Sequence, residues 1–65
     1  MHFFFVRWII PGQKPQGSRT FRTFEACQRY AKHALKSHPS WTAEIVRHDS
    51  GEQQEQQLIS KLARA

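Results

Sequence analysis

A chain of 65 residues with 38% apolar side chains and a formal net charge of +5 is enough for one domain with one small core. A chain this short buries only roughly 60% of the surface that its unfolded form exposes. Cys27 is the only cysteine, which excludes an internal disulfide as a supplement to that core and fits a reducing compartment.

Residues 2–10, HFFFVRWII, are apolar on both alternating faces. Phe4, Val6, Trp8 and Ile10 share one face; Phe3, Phe5, Arg7 and Ile9 share the other. A strand that covers a core on one side only should alternate with polar residues, so the second face is expected to meet another chain, a late segment of this chain or a ligand with flat rings. The run has no basic segment before it and meets Pro11 and Gly12 rather than a small-residue cleavage site, so a secretory leader is not expected. It is also far short of the ~20 apolar residues of a membrane span. The expectation is a cytoplasmic protein with no membrane partner.

Residues 11–17, PGQKPQG, hold two prolines, two glycines and no apolar side chain, which predicts a chain-reversing loop. Residues 18–22 set Arg19 and Phe21 against Thr20 and Arg22, a short second strand antiparallel to the first. Thr23 is a good helix N-cap, and Glu25 stands in the first turn, where the helix dipole favours an acid. Phe24, Cys27, Ala31, Ala34 and Leu35 recur at helical spacing over residues 24–37 with Tyr30 on the flank. Glu25, Gln28, Arg29, Lys32, His33 and Lys36 take the opposite side. The helix should stop near Ser37, because His38 precedes Pro39.

A third strand is predicted over residues 41–48, with Trp41, Ala43 and Ile45 on one face and Thr42, Glu44, Val46 and His48 on the other. Asp49, Ser50 and Gly51 then form a turn. In residues 52–65, strong helix formers, a Ser50 cap with Gln53 three residues on, and Leu58, Ile59 and Leu62 at helical spacing favour a helix with frayed last residues. The same turn would also serve a hairpin in which residues 56–61 form a fourth strand. The expected fold is thus α+β, in the order β-β-α-β plus a C-terminal helix or strand, with a small antiparallel sheet packed on one helix. Trp8, Phe21, Phe24, Ala31, Leu35, Trp41 and Ile45 are its expected core.

Charge is uneven. Residues 1–40 carry seven basic side chains (Arg7, Lys14, Arg19, Arg22, Arg29, Lys32 and Lys36) against Glu25 alone, a net +6, whereas residues 41–65 carry a net −1. A basic half of this size favours an anionic partner, nucleic acid being the commonest. Catalytic and metal chemistry find little support. Cys27, His33 and His38 lack the paired spacings of a zinc site, and Cys27 lies on the apolar helix stripe as a small hydrophobe. No histidine has a catalytic partner at useful spacing, and no glycine-rich phosphate loop opens the helix. No enzyme, metal, cofactor or small-molecule substrate is expected. What remains is the outer sheet face, where Phe3 and Phe5 beside Arg7, Thr20 and Arg22 could stack bases and neutralise phosphates, or form a protein-binding or homodimer interface.

Residues 6–31, VRWIIPGQKPQGSRTFRTFEACQRYA, resemble the small arm-type DNA-binding domain of phage and transposon integrases. The similarity lies in Val6-Arg7-Trp8, Pro11-Gly12, Arg19-Thr20-Phe21, Thr23 and Glu25-Ala26. The resemblance implies that Arg7, Arg19, Thr20 and Arg22 face DNA. Together with Lys14, Lys32 and Lys36 they make the expected nucleic-acid-binding set. The functional expectation is a nucleic-acid-binding accessory protein of phage or mobile-element type; the alternative is a protein-binding module or inhibitor using the aromatic sheet face.

Overall fold

The computed structural model describes residues 2–49, 51 and 56–63. Its elements are β1 (His2–Ile9), β2 (Gln16–Phe21), α1 (Phe24–Ser37), β3 (Thr42–Asp49) and β4 (Gln56–Ala63). The strands form one antiparallel sheet in the order β2-β1-β3-β4, with α1 packed across one face. This is the expected α+β fold. The strand with two apolar faces, β1, lies inside the sheet, between β2 and β3. Among the described residues, no helix is long and apolar enough to cross a membrane.

The favoured helix in the C-terminal segment is corrected: residues 56–63 form β4, paired along β3 from Thr42↔Ala63 to His48↔Gln56. Helix propensity is worth only tenths of a kcal/mol per residue. It yields here to the open backbone edge of β3, whose N–H and C=O groups need partners. The Ser50 cap with Gln53, the middle of the predicted turn and the frayed last two residues lie outside the described residues.

Phe4, Val6, Trp8 and Ile10 from β1 and its end, Ala43 and Ile45 from β3, and Cys27, Ala31 and Leu35 from α1 form the buried core. Phe21, Phe24, Tyr30, Ala34, Trp41 and Leu62 pack against it, partly buried. Trp8 touches both Trp41 (ring centroids 5.4 Å apart) and Tyr30 (6.2 Å). Of the expected core residues, Phe21, Phe24 and Trp41 sit at its margin. Trp41 precedes β3 and stacks on His38, with centroids 3.7 Å apart and planes 6° from parallel.

Local chemistry sets the joints. The Thr23 hydroxyl accepts the Ala26 N–H at 3.2 Å and caps α1. At the other end, the His38 N–H closes on the Ala34 and Leu35 carbonyls before Pro39 stops the helix. The Gln13 N–H donates to the Ile10 carbonyl at 3.0 Å across Pro11-Gly12, and Gly12 has φ +77°. That is the turn pattern which seats Pro second and needs glycine third.

Two irregularities decide which side chains share a face. Between β1 and β2 the register moves from Phe5↔Thr20 to Arg7↔Gly17, so Ser18 and Arg19 together oppose Val6. Between β3 and β4 it moves from Ile45↔Ser60 to Val46↔Leu58, with Ile59 the extra residue. Leu62 therefore sits opposite Ala43 on the helix side, while Leu58 sits opposite Val46 on the outer side.

Candidate nucleic-acid interface

The outer sheet face gathers Phe3, Phe5, Arg7 and Ile9 from β1, opposite His48, Val46, Glu44 and Thr42 of β3. Thr20 flanks Phe5 on one side, and Leu58 flanks Val46 on the other. The face is partly closed upon itself. Val46 is only 2% exposed although it points away from the helix, because Phe5 and Leu58 stand on either side of it. The Phe3 ring lies 4.8 Å from the His48 ring, and His48 Nδ1 is buried without a hydrogen-bond partner in the structure. Arg7 Nε donates to Glu44 Oε1 at 2.8 Å, so the one cation that β1 brings to this face already has a counter-charge. Leu58 and Ile59, 51% and 41% exposed, are the large apolar side chains most open to solvent among the described residues.

A different cationic cluster lies on the helix side. Arg19 and Phe21 alternate onto the same face of β2, and the Arg19 guanidinium lies over the Phe21 ring, 4.9 Å from its centroid. Phe21 in turn packs on Tyr30, with centroids 5.2 Å apart. A shallow furrow between β2 and α1 is lined by Arg19, Phe21, Ala26, Arg29, Tyr30 and His33. None of these six is acidic. Arg29 and Tyr30 follow Ala26 by three and four residues, and His33 follows them by four and three, which puts all four on one helix flank. Glu25, one turn before Arg29, forms no ion pair with it.

The expected nucleic-acid-binding residues are thus divided among several surfaces. Arg7 and Thr20 belong to the outer face. Thr20 also borders a corner shared by Arg22, His2 and Phe3. Arg19 belongs to the furrow. Lys32 and Lys36 flank Leu35, Leu62 and Ala63 at the β4 side of the helix, and Lys14 is exposed in the β1–β2 loop. Arg29 and His33 were absent from that set although they face the same furrow as Arg19. Their helix spacing and the second strand were visible in the sequence, but the placement of that strand beside this flank of the helix was not.

Cys27 is fully buried, and burial pushes its thiol up to about 11, the opposite of what a nucleophile requires. Among the described residues, no three His, Cys, Asp or Glu side chains are grouped so as to hold a metal ion. The chain matches no protein-family model, no curated protein and no solved structure.

Proposed function

We propose that this protein is a small nucleic-acid-binding accessory or regulatory protein of phage or mobile-element type. The observation that carries the reading is the segregation of charge. Arg19, Arg22, Arg29, Lys32, His33 and Lys36 all belong to β2, the β2–α1 joint or α1. Glu25 is the single carboxylate in that stretch. Glu44 and Asp49, the described carboxylates of the second half, belong to β3. A cationic stretch of this kind attracts a polyanion and releases its counterions on contact. The similarity of residues 6–31 to integrase arm-type domains supports DNA as the polyanion.

The test is binding of a short labelled DNA duplex and of RNA of the same sequence, titrated between about 50 and 200 mM salt. Contact with five or so phosphates gives a log–log slope near −4 or −5. Failure to bind either probe at the lowest salt would sink the reading. A second reading, a protein-binding or self-associating module, is favoured by one observation, the apolar outer patch of Phe3, Phe5, Ile9 and Leu58. Sedimentation of the wild type and of Phe5→Glu tests its self-associating form. An interface through this patch predicts a loss of mass in the variant and little response to salt.

A further inference from the structure

Resting on the nucleic-acid reading, we infer that the β2–α1 furrow is a phosphodiester clamp, in which Arg19 from the strand and Arg29 from the helix grip the backbone of the bound strand. Four observations converge on it. The two arginines come from different elements, so the grip has two walls held apart by the packing of Phe21 on Tyr30. Arg19 is held at its root by the bulge and along its plane by the Phe21 ring. Its guanidinium therefore loses less freedom on binding than a loose surface side chain would. Among the described residues no carboxylate lines the furrow, in contrast to the outer face, where Glu44 already takes Arg7. Guanidinium groups present paired N–H donors that match phosphate oxygens, with His33 and the Tyr30 hydroxyl as further donors at the rim.

The floor of the furrow also says which part of the nucleic acid it meets. Phe21 is capped by Arg19, and Tyr30 is packed on Phe21 and Trp8. These contacts occupy the rings as a support for the guanidinium. The clamp therefore reads backbone and not base edges, and it contributes affinity and register rather than sequence preference.

Arg19→Gln, Arg29→Gln and the double variant are compared with Lys61→Gln. Lys61 is exposed and pairs in register with Glu44 of the outer face, so this control removes the same charge from the other side of the sheet. The probes are the labelled DNA duplex and the matching RNA, and circular dichroism verifies folding. Each furrow variant should flatten the salt slope by about 0.9, and the double by roughly twice that. Arg29→Lys should restore the slope, and Lys61→Gln should leave it unchanged. Should Arg19→Gln fail to fold, Arg29→Gln on the helix surface decides alone. A wild type that binds neither probe overturns the nucleic-acid reading and the clamp together. A wild type that binds while the folded furrow variants keep its slope overturns the clamp and leaves the reading standing.

Discussion

The amide of Val6 donates a 2.9 Å hydrogen bond to the side-chain oxygen of Ser18. Val6 is fully buried, and Ser18 and Arg19 both stand opposite it where the ladder slips by one residue. A bulge leaves a buried N–H without its regular carbonyl partner, and the serine hydroxyl replaces that carbonyl. Arg19 stands on the same bulge, so this one bond lies beneath both the core and the proposed clamp.

Ser18→Ala should therefore cost about 1–3 kcal/mol, the penalty of an unsatisfied buried donor. Ser18→Thr, which keeps the hydroxyl, should recover most of it. Urea unfolding measures both, as a lowered midpoint at unchanged slope. A Ser18→Ala variant as stable as the wild type would remove this bond from the account of the bulge.

The Arg7–Glu44 pair is half exposed on the arginine side, with side-chain exposures of 40% and 14%, so screening limits its worth. A double-mutant cycle with Arg7→Ala and Glu44→Ala should give a coupling of about 0.5–1 kcal/mol. It should shrink toward zero in about 1 M salt, where the screening length falls to roughly 3 Å. A coupling that survives high salt would mean that the pair is held by packing rather than by charge.

The two tryptophans should behave differently. Trp8 is 5% exposed and central to the aromatic cluster, and Trp8→Ala should cost about 3–5 kcal/mol, enough to unfold a domain this small. Trp41 is only partly buried beside His38, and Trp41→Ala should cost about half as much, because less area leaves water on folding. Amide spectra at room temperature distinguish them. A folded Trp8→Ala would contradict the core described above.

Cys27 links pH to stability. Burial raises its thiol to about 11 from the ordinary 9.0, so the unfolded chain loses its proton first. The stability due to the protonated thiol is complete below about pH 9 and is lost as pH rises through about 11. At pH 8 the native thiol should react with iodoacetamide at least ~100-fold more slowly than in urea, two pKa units of thiolate being withheld. Equal rates in the folded and unfolded chain would place Cys27 at the surface.

Single-residue physics made much of this protein legible from its chain. The Thr23 cap, the apolar stripe through Cys27, Ala31 and Leu35, and the stop at His38-Pro39 delimit α1 as Phe24–Ser37, because capping, periodicity and proline sterics act within a few residues. The same holds for the Pro11-Gly12 turn and for the alternation that sends Phe4, Val6 and Trp8 to the core. Three matters needed the tertiary structure. Residues 56–63 carry helix formers and become a strand because the edge of β3 is there to receive them. Leu58 and Leu62 lie on opposite faces of the sheet because a bulge at Ile59 reverses the alternation between them. Arg19 and Arg29, ten residues apart, line one furrow because the pairing of β2 with β1 lays the Arg19 and Phe21 face beside the flank of α1 that carries Arg29. Register and bulges depend on contacts between segments distant in sequence, and a single slip turns a side chain from one face to the other.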